Sequence, residues 1–221
     1  MISDSIKTRD GLSVKLYLWG HASVSMRLQD FGVSIDPVGL YVAEDHVDCD
    51  DLVLLTHNHA DHLDVRTISR VIKKDGLVIG TQACKESVMC HTVVPMQTYS
   101  FAGCNLETVP AYNVTSGHIQ YHPKERGDVG YVLNIGGSRI YFAGDTEDVS
   151  EVCALQNIDV AFLPVNQPYT MTIDQVVHVA REMRPKVLYP YHYGSSAGVT
   201  DVTPLVHLLK DVCEVRIRSM E

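Results

Sequence analysis

Between Thr56 and Asp64 the chain reads THNHADHLD, which places three histidines and two aspartates in nine positions. Imidazole and carboxylate together suit Zn²⁺, with Mn²⁺ or Fe as alternatives. In an extended segment, residues two apart project to the same side, so His57 and His59 can share one cation. Asp61 and His62, one step further round a turn, can aim at a second cation beside the first. The preceding run, DLVLLTH (51–57), is continuously apolar from Leu52 to Leu55, as in a strand buried on both faces. Polar groups at the end of a buried strand need partners, which makes a bare helix cap followed by idle histidines unfavourable.

Two other strand ends carry the same kind of residue. YFAGDT (141–146) runs into Asp145; alone this reads as an Asx turn, but a carboxylate there can bridge two cations about 3.5–4 Å apart. YPYHYG (189–194) ends in His192 beside a glycine. Three strand ends finishing in ligand-type residues raise the weight of each. His21 either contacts substrate or is a satisfied core histidine. Asp36, before Pro37, either fixes a ligand imidazole or forms an Asp-Pro turn. His46, His91, His178 and His207 have no such context and are assigned to surface or packing roles. In HPKERG (122–127), Lys124 and Arg126 read as a solvated charged loop, or as a hold for an anionic substrate. No G-x-S-x-G or Walker-type glycine loop is present, so serine hydrolysis and phosphate cradling lose their usual support.

Strands are expected at 12–19, 23–28 and 31–36, then 51–57, 77–80, 105–112, 129–135, 138–144, 158–165 and 186–192. Gly136-Gly137 is a hairpin turn. Asp64 caps a helix expected to run through VRTISRVIKK to Asp75-Gly76. QACKESVMC is a short helix, and TIDQVVHVAREM is amphipathic, with Val176, Val177, Ala180 and Met183 on one stripe. A helix at TPLVHLLK and a strand at VCEVRIR close the chain. The order, strands first and then strands alternating with helices, occurs twice without a linker. One domain over residues 1–221 follows, with mixed sheets packed together and helices outside.

Composition is that of an ordinary globular chain, 45% hydrophobic and 20% charged, so a core needs no disulfides. Six scattered cysteines without a C-x-x-C pair read as reduced thiols. Eighteen basic against 27 acidic residues give a net charge of −9, which disfavours nucleic acid as a partner. The start, MISDSIKTRDG, has no apolar core of a signal peptide, and no apolar run approaches the ~20 residues of a membrane span. A cytoplasmic protein without membrane partners is expected; the oligomeric state stays open.

The order HNHADH, GDT and a late strand-ending histidine resembles the metallo-β-lactamase superfamily. WGHAS (19–23) and SIDP (34–37) look like its branch of ascorbate-6-phosphate lactonase-like and related metal-dependent hydrolases. The resemblance runs from Trp19 to about Gly194. It implies an α/β (α+β) fold, an αββα sandwich of two mixed sheets, with a dinuclear site, zinc foremost, at one edge. By position His57 and His59 would bind the first metal, Asp61, His62 and His192 the second, and Asp145 both. The family's remaining first-site histidine falls after the strand ending in PAYN, where this chain has Asn113. His122 is the expected substitute, with His118 as its rival. The activity implied is hydrolysis of an ester, lactone, phosphoester or phosphodiester bond of a small, anionic molecule. A water between two cations would have its pKa lowered toward ~7, with Asp61 orienting it and moving its proton. The competing readings are a di-iron oxidoreductase of the same fold, which usually has a carboxylate where His59 stands, and a non-catalytic metal-binding protein. A nuclease is opposed by the acidic balance.

Overall fold

A computed structural model describes residues 2–47, 49–101, 103–195 and 198–220. The first sheet contains β1 (Ile2–Lys7), β2 (Ser13–Gly20), β3 (Ser23–Leu28), β4 (Phe31–Ile35), β5 (Asp50–Leu54), β6 (Ile72–Gly80) and β7 (His91–Thr92), hydrogen-bonded in that order. The second contains β8 (Thr98–Phe101), β9 (Cys104–Pro110), β10 (Val129–Ile135), β11 (Ser138–Phe142), β12 (Val160–Pro164) and β13 (Val187–Tyr191). Two short strands, β14 (Gly194–Ser195) and β15 (Gly198–Val199), pair with each other, and β16 (Glu214–Val215) joins the second sheet beside β13. The helices are α1 (Val65–Val71), α2 (Ser150–Cys153), α3 (Ile173–Met183) and α4 (Pro204–Leu208). Each large sheet is an antiparallel meander that turns parallel, from β4 onward in one and from β11 onward in the other. This is the mixed-sheet sandwich expected from the element order.

β5 shows why the apolar run is continuous. Leu52 and Leu54 point into the main core, while Val53 and Leu55 meet Ile68 and Val71 of α1 on the other face. Burying each of these side chains contributes about 1.5–3 kcal/mol. Gly136 and Gly137 both have positive φ, 52° and 70°, as a two-residue hairpin turn between paired Ile135 and Ser138 requires.

Several local expectations are corrected. The helix after Asp64 is capped as expected, Asp64 accepting from the Arg66 N–H, but it ends at Val71. Ile72 onward is strand, because Ile72 pairs with Asp50 and Leu77 with Leu52. QACKESVMC forms only a single 3₁₀ turn at Cys84–Glu86. On α3 the buried stripe is Val176, Val179, Ala180 and Met183, so Val179 takes the place given to Val177. β1 lies outside the expected strands: its apolar residues are only Ile2 and Ile6, which pair with Leu18 and Val14. The terminal strand shrinks to two residues. His46 is buried, its Nε2 3.2 Å from Asp50 Oδ2, so its packing role is a polar one. Among the described residues no helix is long and apolar enough to cross a membrane. All six cysteines stand as free thiols.

Candidate metal centre

The parallel strands bring their carboxyl ends to one edge of the sandwich. β4 delivers Asp36, β5 delivers Thr56 and His57, β11 delivers Asp145, and β13 delivers His192. The turn between β2 and β3 adds His21. Gly144, at φ 64°, has room for no more than a tight Cβ, 3.0 Å from Thr56 Cβ and 3.1 Å from the Val129 carbonyl, and glycine's freedom there lets the chain turn into Asp145. Three non-glycine residues at this edge, His21, Asp36 and His192, hold positive φ of 52°, 44° and 48°. Left-handed backbone of this kind costs about 1–2 kcal/mol per residue and concentrates at functional sites.

Three overlapping groups of donor atoms result, within each of which all atoms lie within 4.8 Å of one another. His57, His59 and His122 form one; His57, His62 and Asp145 a second; His21, Asp61, His62 and His192 a third. Asp145 stands among them: Oδ1 is 3.3 Å from His62 Nε2, and Oδ2 is 3.3 Å from both His122 Nε2 and His192 Nε2. All seven residues singled out in the sequence, His57, His59, Asp61, His62, His122, Asp145 and His192, therefore converge on this edge. His118 does not; it turns to the buried Glu147, Nδ1 to Oε1 at 3.3 Å. Asn113 serves as a brace. Its amide donates to the Tyr169 and His118 carbonyls, and its N–H donates to the His122 carbonyl at 2.8 Å, which folds the loop back and brings His122 in.

The partners behind the imidazoles fix their orientation. Asp36, fully buried, accepts from His62 Nδ1 at 2.8 Å, from the Thr56 N–H at 2.8 Å and from the Thr56 hydroxyl at 2.6 Å. Asp128 lies 3.7 Å from His122 Nδ1. The opposite edges of the rings are under-satisfied: among the described residues, buried His57 Nε2, His62 Nε2, His192 Nε2 and Asp145 Oδ1 make no well-formed hydrogen bond, although His62 and His192 stand 3.3 Å from Asp145. Orphaned buried polar atoms are rare in folded proteins. Four aimed at one small volume fit a cationic group held between them.

The electrostatics fit the same picture. Burial and the surrounding imidazoles, His62 first, hold His57 well below the ordinary histidine value, and burial with His122 and Arg126 lowers His59. Burial would also lower His62, but Asp145 and the hydrogen-bonded Asp36 outweigh it and push His62 up to about 9. His122 is likewise pushed up to about 9, its burial outweighed by the carboxylates of Asp128 and Asp145. Asp145, which burial would raise, is held well below the usual carboxylate range by His192 and His62. For Asp61, burial is outweighed by His21 and His62, and its carboxyl is lowered.

A cleft of about 540 Å³ opens over these groups, walled by Tyr41, Tyr121 and Tyr169, with Asn166 and Val199 at its sides. These walls carried no spacing signal in the sequence. Lys124 and Arg126 are absent from the cleft: Lys124 pairs with Glu151 and Tyr112, and Arg126 with Asp128 and Asn58. Neither is positioned to hold an anionic substrate.

A family model described as a beta-lactamase superfamily domain matches residues 15–192. The chain belongs to that superfamily. Within it, the chain is 32% identical over 200 residues to a UPF0173 metal-dependent hydrolase of Thermus thermophilus, covering 82% of this chain and 84% of the relative. A crystal structure from Parabacteroides distasonis, provisionally assigned as a metal-dependent hydrolase, covers 100% of this chain and 99% of its own, at 39% identity and a TM-score of 0.93. The metallo hydrolase Igni18 of Ignicoccus hospitalis shares the fold, with a TM-score of 0.76 at 22% identity over 94% of this chain and 95% of its own. The chain is thus a member of the UPF0173 metal-dependent hydrolases. That family name, rather than the narrower lactonase-like branch, is the one the Thermus thermophilus relative carries.

Proposed function

We propose that the protein hydrolyses an ester, lactone, phosphoester or phosphodiester bond of a small molecule with the help of two divalent cations, zinc foremost and manganese or iron as alternatives. His57, His59 and His122 would hold one cation, Asp61, His62 and His192 the other, and Asp145 would reach both. When bound, such a pair supplies Lewis acidity, lowering the pKa of water toward ~7 and polarising a carbonyl or phosphoryl oxygen.

The chain's own residues prepare the rest. Asp36 accepts a hydrogen bond from His62 Nδ1–H, which leaves Nε2 as the ring nitrogen that would bind the cation. Asp61 keeps its half-exposed carboxylate at the cleft, where it orients the attacking water and carries its proton to the leaving group. The tyrosine walls exclude bulk water from one side and offer flat surfaces to the body of the substrate. A β-lactam is not implied by the superfamily name, because fold does not fix function.

The observation that carries this reading is the set of buried Nε2 atoms of His57, His62 and His192 that make no hydrogen bond among the described residues, two of them 3.3 Å from Asp145. The test is elemental analysis and turnover of ester, lactone and phosphodiester substrates by wild type, His59→Ala and Asp145→Ala. Both variants should keep the circular-dichroism spectrum and lose metal and activity. Unchanged metal content in both would overturn the ligand assignment, and full loading without turnover would favour a non-catalytic metal-binding protein.

A further inference from the structure

Sequence alone leaves His21 between substrate contact and core packing. It follows the end of β2, far in sequence from the histidine cluster, yet its ring donor atom lies within 4.8 Å of those of Asp61, His62 and His192. Resting on the two-cation reading above, we infer that His21 is a further protein donor at the second position. His21, Asp61, His62 and His192 give four mutually close donors, and Asp145, 3.3 Å from His62 Nε2 through Oδ1 and from His192 Nε2 through Oδ2, would add a fifth. Such a set would suit a five- or six-coordinate cation rather than a tetrahedral one.

The fold holds this ring with unusual firmness. His21 takes a left-handed backbone, φ 52°, that a non-glycine residue seldom adopts. Its N–H donates to the Met220 carbonyl at 2.8 Å, and its own carbonyl accepts the His192 N–H at 2.9 Å. The main chains of the two histidines are thereby tied together, and their rings approach to 3.8 Å between centroids. Tyr41 stacks on the other face, 5.6 Å away and within 8° of parallel. Side chain and backbone are both clamped where movement would alter the donor cluster.

The spacings match donors around one ion. Donors bonded at about 2.1 Å stand about 3.0 Å apart at right angles, about 3.4 Å in a tetrahedron and about 4.2 Å when opposite. His21 Nε2 to Asp61 Oδ2 is 3.1 Å, His62 Nε2 to Asp145 Oδ1 and His192 Nε2 to Asp145 Oδ2 are 3.3 Å each, and His192 Nε2 to Asp61 Oδ2 is 3.9 Å. At bonds of about 2.1 Å the shortest and longest of these correspond to about 95° and about 136° at one ion, a wider spread than a regular tetrahedron has. Tetrahedral zinc is filled by four ligands, whereas octahedral preference lies with ions such as Mn²⁺.

The test is titration of metal-free protein with Co²⁺, whose visible absorption is weak at five or six ligands and strong at four, in wild type and His21→Ala. Thermal melts confirm that the variant folds, and the first equivalent of Co²⁺ reports the other position. In wild type the second equivalent should add only weak absorption. In His21→Ala it should bind about tenfold or more weakly and absorb more strongly, with the first equivalent unchanged. Identical binding and absorption in the two proteins overturns the inference. Weaker binding with an unchanged band overturns it too, leaving His21 as the hydrogen-bond partner of Asp61. If wild type binds no Co²⁺ at all, the two-cation reading itself falls.

Discussion

Asp36 allows an unusually clean perturbation, because its two oxygens have separate tasks. Oδ1 accepts the Thr56 N–H at 2.8 Å, while Oδ2 accepts the Thr56 hydroxyl at 2.6 Å and His62 Nδ1 at 2.8 Å. Asp36→Asn keeps the shape and the Oδ1 bond but turns the second oxygen into an N–H donor. If the Thr56 hydroxyl swings its proton to His57 Nδ1, 3.0 Å away, the His57 proton moves to Nε2 as well. His62 meets the same reversal directly. Its Nδ1 must now accept, so its proton moves to Nε2, the atom proposed to face the cation. Metal affinity should fall about 10- to 100-fold, or about 1.4–2.8 kcal/mol, while the metal-free fold loses little. Asp36→Ala differs: it strands the His62 Nδ1–H and the Thr56 N–H in a dry site, at about 1–3 kcal/mol each. A loss near 3 kcal/mol would lower Tm by about 6–12 °C in a chain of this size. Zinc titration against a chromophoric chelator, with thermal melts of the metal-free proteins, separates the two effects. A folded Asp36→Asn protein that binds zinc within twofold of wild type would refute the tautomer argument.

Further outcomes follow from the same structure. Gly144→Ala, at φ 64° and with its new carbon 3.0 Å from Thr56 Cβ, should cost about 1–3 kcal/mol and displace Asp145, read as a lower Tm together with reduced metal content. Burial pushes the thiols of Cys84, Cys104 and Cys213 up to about 11, so at pH 8 they stay protonated. Mass spectrometry after brief alkylation should find them unmodified in the native protein and modified in denaturant, with native labelling rising only as pH climbs toward that value. Stripping the protein with a chelator should lower Tm and zinc should restore it, since a ligand of the folded state alone stabilises by mass action. Leu54→Ala, in the main core, should cost about 2–5 kcal/mol without changing metal stoichiometry.

The sequence made the site's ends legible where a buried strand ran straight into a polar residue. His57, Asp145 and His192 are of this kind, because a ligand-type side chain closing a continuous apolar run must find a partner in a dry place. His122 was harder. Its approach depends on a loop closing through the Asn113 N–H to its own carbonyl, and loop closure carries no periodic signal. His21 could not be placed, since its position comes from a turn whose neighbours are Met220, 199 residues away, and His192. In the fold, the mixed sheets could be read from the order of strands and helices. The end of α1 could not, because helix and strand compete over IKKDG and pairing with Asp50 and Leu52 decides the outcome. β1 escaped for a related reason: an edge strand with few apolar residues looks like a tail until its partner is known.

The most direct measurement is anomalous scattering from crystals grown with zinc. Two peaks are expected about 3.5–4 Å apart, one within bonding distance of His57, His59 and His122, the other within bonding distance of Asp61, His62 and His192, with Asp145 between them. Crystals whose imidazoles surround no peak, or whose zinc lies only on surface residues, would contradict the proposed metal centre.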